Sequence, residues 1–180
     1  MQSQDLLDAL VLLSEAHTRF AGVLQALPET TLTKRPPSGG WNALECIEHL
    51  NRYGTFYLRE IDAAIQKAAP PASDHFKPGL LGNYFCKLIH PDSSGKAMKT
   101  PPSMNTLNAR LTPLVLADFI GQQQQFLQLL ERARKVNIGK VKTGTSLSRM
   151  IRLKLGDTLR FVAYHNERHI RQAQNLISNA

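Results

Sequence analysis

The chain has 180 residues, a formal net charge of 22 − 14 = +8, and 42% hydrophobic residues. That length suits a single domain over residues 1–180 with a core of ordinary size, and the composition is too apolar for a disordered chain. No apolar run reaches the roughly eighteen residues of a spanning helix, and MQSQDLLDAL has no basic region ahead of an apolar one, so the chain reads as cytoplasmic, with no membrane partner.

From about Gln4 to Leu27, the residues Leu6, Leu10, Leu13, His17, Phe20, Leu24 and Leu27 recur at three-and-four spacing. This is the pattern of a helix with one buried face. His17 sits centrally on that stripe and reads as a core histidine. Pro28 follows, and TLTKRPPSGG breaks regular structure. A second helix starts near Trp41 and runs to about Ala68. Ile47, Leu50, Gly54, Tyr57, Leu58, Ile61 and Ile65 form its main stripe; Cys46, His49, Tyr53 and Phe56 adjoin it. So wide an apolar surface suits neighbours on two sides, or a homodimer contact. Tyr53 is assigned to the core. Cys46 and Cys86 match no disulfide or metal-binding spacing and read as reduced, buried thiols.

Pro70 and Pro71 end the second helix, and a long connection runs to Thr112. It holds a short helical candidate, LLGNYFCKLI, and an irregular stretch, HPDSSGKAMKTPPSMNT, in which His90 faces solvent, as His75 does further upstream. A connection of this length usually serves a site. Thr112 and Pro113 read as an N-cap and a first-turn proline. The third helix runs to about Val136 with Leu116, Ile120, Gln123, Leu127 and Leu130 inward, and the Gln122 to Gln125 run reads as polar surface.

Residues 132 to 160 carry nine cations (Arg132, Arg134, Lys135, Lys140, Lys142, Arg149, Arg152, Lys154 and Arg160) against one acid, Asp157. Such a segment attracts phosphate or carboxylate, but charge runs are more often solvated surface. No aromatics interleave with the charges, which argues against base stacking. The last helix spans about Gly156 to Ser178. Four helices of this length make an all-α chain, a four-helix bundle with a long connection between the second and third helices.

His165 and His169 stand four apart on the last helix, one turn from each other, so a single metal ion can reach both. The apolar stripe there is Leu155, Leu159, Val162, His169, Ala173 and Leu176, with His165 at its edge. A buried imidazole needs partners for a donor and an acceptor, and a metal satisfies the acceptor. Chance alone supplies a pair at this spacing roughly one time in six for six histidines, so spacing by itself decides little. His49 becomes a third ligand only if the two helices pack side by side. Glu48 and Glu167 neighbour these histidines in sequence but point about 100° away, and both read as surface carboxylates.

The run RPPSGGWNALECIEHL, with Trp41 and the pair His49–Leu50, resembles the start of the second helix in the DinB/YfiT-like family of metal-binding four-helix bundles. The run HNERHIRQ, with His165, His169 and Gln172, is similar to that family's last-helix motif, and the two motifs stand in the right order, about 115 residues apart. The segment KAMKTPP and the basic approach to the last helix resemble one bacterial branch. The resemblance implies an up-down-down-up helix order and metal ligands at His49, His165 and His169. It also implies thiol-dependent transferase, isomerase or metal-dependent hydrolase chemistry on a small-molecule substrate.

Three neutral ligands leave a coordination position open, as catalytic sites do, and imidazole suits zinc or nickel. The expectation is therefore a metal-dependent enzyme that activates water or a low-molecular-weight thiol. No residue is assigned as general acid or base. The other expectation is a non-catalytic basic binding module, of the stress-response kind the family's damage-inducible name suggests, with nucleic acid as the partner its charge would attract.

Overall fold

Four amphipathic segments become four long helices: α1 (Ser3–Gln25), α3 (Ala43–Gln66), α5 (Leu114–Ala133) and α6 (Leu155–Ser178). Short helices α2 (Glu29–Leu32) and α4 (Leu80–Ile89) lie in the connections, and a 3-10 turn covers Pro102–Met104. The computed structural model describes residues 1–37, 39–70, 74–93, 99–148 and 150–178. Expectations for Arg149 and for residues 96–98 of the KAMKTPP segment lie outside the described residues. The chain is mostly helical, and no helix among the described residues is long and apolar enough to cross a membrane.

In four places the elements and their faces differ from the sequence expectation. TLTKRPPSGG is not wholly irregular: its first residues end α2, which buries Leu32. The basic connection contains a short antiparallel hairpin, β1 (Lys142–Gly144) paired with β2 (Arg152–Lys154). Each strand buries only its central residue, Thr143 or Leu153, too short a pattern for alternation to register. Thr112 does not cap α5. Pro113 precedes its first residue without a side-chain cap. Val115 and Leu116 instead donate their N–H groups to the Thr112 and Pro113 carbonyls. The buried face of α5 is also rotated: Phe119 and Phe126 are buried, whereas Ile120 and Leu127 are half-buried.

Helix α3 packs against both α5 and α6, and α1 packs against the same two helices. This accounts for the wide apolar surface of α3 within the chain. The α3–α5 approach is close at Gly54, where an added Cβ would fall 1.8 Å from the Gln122 side chain. Gln122 donates from Nε2 to the Asn51 carbonyl. Gln123 is buried and accepts from Ser14 Oγ at 2.8 Å, so the glutamine run is not merely polar surface.

The core divides into two apolar clusters. One gathers Leu10, Tyr53, Phe126 and Leu159; the other gathers Ala21, Ile47, Phe119 and Ile170. Between them, in chain position along every long helix, stand buried polar residues: Ser14 and His17 on α1, Asn51 on α3 with His49 beside it at the border, Gln123 on α5, His165 and Asn166 on α6.

Helix α4 is held on α6 by Asp157. The Asp157 carboxylate is fully buried and accepts the Gly79 N–H at 2.8 Å, and burial pushes its pKa up from the usual carboxylate value. A Cβ on Gly82 would stand 2.4 Å from Asp157 Cβ and Cγ. Gly82→Ala is therefore expected to destabilise the protein by about 2 kcal/mol, because Asp157 cannot retreat and keep its bond to Gly79. Urea denaturation monitored by circular dichroism reads this directly, and an unchanged midpoint would contradict it.

Candidate metal centre

The site is built from the start of α3. Asn42 Oδ1 accepts the Glu45 N–H at 2.9 Å while the Glu45 carboxylate accepts the Asn42 N–H at 3.0 Å, forming a capping box. Glu45 is fully buried and also accepts from the Arg35 guanidinium at 2.5 Å and the Asn108 N–H at 2.6 Å. Thr106 Oγ1 donates to the Glu45 carbonyl. One side chain thus fastens α3 to the segments before and after it in space. Sequence reasoning passed over Glu45; the N-x-x-E spacing of Asn42 and Glu45 was the signal that marks it.

His49 lies one turn beyond Glu45. Its Nδ1–H donates to the Met104 carbonyl at 2.8 Å, which leaves Nε2 as the acceptor. That Nε2 stands 3.3 Å from His165 Nε2. On α6, His169 Nδ1 donates to Gln172 Oε1 at 3.0 Å. The structure brings together all three histidines: one ligand atom from each falls within 4.8 Å of the others. Two acceptor nitrogens face each other at 3.3 Å only if one carries a proton or both point at a cation. That separation is also about the edge of a tetrahedron with metal–nitrogen bonds near 2.0 Å. The donor set and its outer partners therefore fit a divalent ion.

Trp41 stacks beside this cluster, 4.6 Å from the His49 ring and 5.7 Å from His169. Its Nε1–H donates to Asn105 Oδ1. Tyr53, expected in the core, does belong to an apolar cluster, but its ring also lies 4.6 Å from His165 and so lines the site. Phe161 stacks on the His165 ring itself at 5.7 Å.

The other histidines stay apart. His17 is buried in the core, as its stripe position implies, with Nε2 at 2.9 Å from Glu167. Glu167 is therefore not a free surface carboxylate: its bond to His17, and then one to Arg171, pull its pKa down to about 2. Glu48 pairs with Arg52 at 3.0 Å along the helix. His75 is exposed, and His90 packs against Tyr164 beside Asp92.

Burial governs the protonation of the cluster. Desolvation pulls His49 down to about 4 and His169 down to about 3, and holds His165 well below the ordinary imidazole value, with the neighbouring rings and Arg168 adding to it for the α6 pair. All three rings are then neutral at neutral pH, the form that donates a lone pair to a metal.

The sequence pattern of the DinB superfamily matches residues 12–173. The chain belongs to the DinB superfamily. Searches among curated proteins and among solved structures returned no match. Within this DinB-superfamily chain the three clustered histidines can hold a metal ion, and both motif histidines of α6 face the motif histidine of α3.

The lowered pKa values set a sign for metal-free protein. The unfolded chain binds protons near pH 6.5 that the folded cluster refuses, so stability is full above that pH and is lost as pH falls toward 4. His49 alone accounts for a loss of about 3 kcal/mol over that range. Chelator-treated protein should show a urea midpoint that falls from pH 7 to pH 4.5, with a shallower fall in His49→Phe. Equal slopes for the two proteins would contradict the assignment.

Proposed function

We propose that this protein is a metal-dependent enzyme in which His49, His165 and His169 hold one divalent ion, zinc or nickel. The facing of the His49 and His165 Nε2 atoms at 3.3 Å, with the outer nitrogens of His49 and His169 already engaged, carries this reading. When bound, such an ion lowers the pKa of a coordinated water or thiol and so supplies a nucleophile for transfer to, or hydrolysis of, a small-molecule substrate. The chain's own residues orient and enclose the centre. Met104 and Gln172 fix the tautomers of His49 and His169, and Trp41, Tyr53 and Phe161 surround the rings with apolar surface. Three neutral ligands leave the ion's full charge for the reacting group. A low-molecular-weight thiol fits this chemistry as cosubstrate.

The reading includes an up-down-down-up helix order. Its support is the pairing of residues between helices. Asn51 meets Val115 and Asp62 meets Arg132 between α3 and α5, whereas His49 meets His165 and Tyr57 meets Phe161 between α3 and α6. Ser14 meets Gln123 and Gln4 meets Arg134 between α1 and α5.

Elemental analysis of the purified protein tests the proposal. About one equivalent of zinc or nickel per chain is expected, falling at least tenfold in His165→Ala/His169→Ala dialysed against buffer. Wild type without bound divalent metal, or a double variant that retains it, would sink the reading.

One observation favours a second reading, a basic binding module. On the hairpin Lys142 stands opposite Lys154, and a cavity of about 440 Å³ beside it is lined by Lys67, Lys140, Lys142 and Arg152 against one acid among the described residues, Glu60. Glu60 already accepts the Gly144 N–H. Like charges paired across strands destabilise unless an anion sits nearby. Fluorescence anisotropy with duplex DNA should then show affinity that falls steeply with salt and drops in Lys142→Glu/Lys154→Glu. No binding at low salt removes this reading.

A further inference from the structure

Helix α4 is apolar on two sides. Gly82, Cys86 and Ile89 are buried where it packs on α6. On the outward side Leu80, Tyr84 and Leu88 follow at four-residue spacing, with Leu81 beside them. Leu80 is 96% exposed, Tyr84 58% and Leu81 44%. A helix that is apolar all round is ordinarily covered on every side, yet this stripe faces solvent. A contiguous apolar patch of this kind marks an interaction surface.

Cations flank the stripe. Lys87 stands on α4 next to Leu88, and Lys77 stands three residues before Leu80; both are exposed. Among the described residues neither forms an ion pair. Lys154 Nζ donates to the Lys77 carbonyl at 2.8 Å, and Lys142 stands opposite Lys154 on the hairpin. Asp157, behind α4, is buried and lies in the field of Arg160 and Lys154. Asp92, past the end of the helix, pairs with Arg171, which leaves exposed Asp74 against the lysines.

These features select the occupant. A ten-residue helix presents a face about 15 Å long and about 12 Å wide. That is on the order of 200 Å², far below the roughly 800 Å² per partner of a stable protein interface. A second copy of the chain would also bring Lys77 and Lys87 against their own counterparts. A lipid leaflet needs no matching outline. It takes leucine and tyrosine side chains at its boundary, and anionic headgroups neutralise the flanking lysines.

We propose that the outward face of α4 docks on an anionic lipid surface, with Leu80, Leu81, Tyr84 and Leu88 entering the headgroup boundary and Lys77 and Lys87 meeting the headgroup phosphates. A helix that lies in the interface plane needs no spanning run, so the docking is peripheral and reversible. Helix α4 is fastened for this role from behind. Asp157 accepts the Gly79 N–H, and Gly82 abuts the Asp157 side chain, so the inner face stays on the bundle while the outer face meets lipid. The proposal is independent of the metal-centre reading.

The probes are vesicles of mixed phosphatidylcholine and phosphatidylglycerol, with vesicles of phosphatidylcholine alone as the uncharged counterpart. Cosedimentation of the full chain should give saturable binding to the mixed vesicles, about tenfold tighter than to phosphatidylcholine and weakening as salt rises. Leu80→Glu/Tyr84→Glu and, separately, Lys77→Glu/Lys87→Glu should each lower it about tenfold. Leu114→Glu, a change at an exposed leucine on α5, should leave it unchanged. In Tyr84→Trp the introduced indole should shift its emission to the blue on the mixed vesicles, beyond any change that Trp41 gives in the wild type. Equal binding to the two vesicles, or none to the mixed ones, overturns the proposal. So do α4 variants that bind as the wild type does while circular dichroism shows them folded, and so does salt-reversible binding without the blue shift, which is adhesion by charge alone. Light scattering that finds a dimer, turned to monomer by Leu80→Glu/Tyr84→Glu, overturns it in favour of a second copy on this face.

Discussion

The surroundings of the histidines depend on one buried carboxylate. Glu45 has no access to solvent, and a charge so placed must collect donors or be lost. It collects three: the Asn42 N–H of its own capping box, the Arg35 guanidinium and the Asn108 N–H. Those partners come from the end of the α2–α3 connection and from the far end of the long α4–α5 connection. Met104, whose carbonyl sets the His49 tautomer, and Trp41, which covers two of the rings, are carried by the same segments. Arg52, one turn beyond Glu48 on α3, adds bonds to the Ser103 and Asn105 carbonyls and helps hold the second segment over His49. One link from sequence to site geometry is thus a helix cap that doubles as a tether.

A second constraint follows from where the cluster lies. Polar side chains separate the two apolar clusters at one level of the helices, and each must find a partner within that level. Ser14 and Gln123 pair, and His17 pairs with Glu167. Among the described residues His17 Nδ1 and Asn51 Oδ1 have no protein partner. The facing nitrogens of His49 and His165 are the most demanding case, since desolvation keeps both rings neutral. Large apolar residues at these positions would give a simpler core, so a polar layer here costs stability unless its groups find partners.

Much of this was legible in the sequence, for stated reasons. The four long helices and LLGNYFCKLI carry strong three-and-four periodicity, and their observed bounds fall within a few residues of the pattern. The pairing of His165 with His169 follows from spacing alone. The approach of His49 does not: it depends on α3 lying against α6, a long-range fact that helical periodicity does not encode. The hairpin went unread because each strand buries a single residue. Phe119 and Phe126 replaced Ile120 and Leu127 on the inner face of α5 because packing against α1 and α3 rotates the stripe. Glu167 read as surface because helix geometry correctly turns it away from the cluster; that geometry turns it toward His17 on α1 instead.

The central claim is that the three imidazoles share one ion. X-ray absorption at the metal edge of the purified protein tests it most directly, because it reads ligand type, number and distance together. The account predicts three imidazole nitrogens near 2.0 Å with a light oxygen or nitrogen atom, or an added thiol's sulfur, completing the shell. A shell dominated by carboxylate oxygens, or one that persists unchanged in His49→Ala, would contradict it.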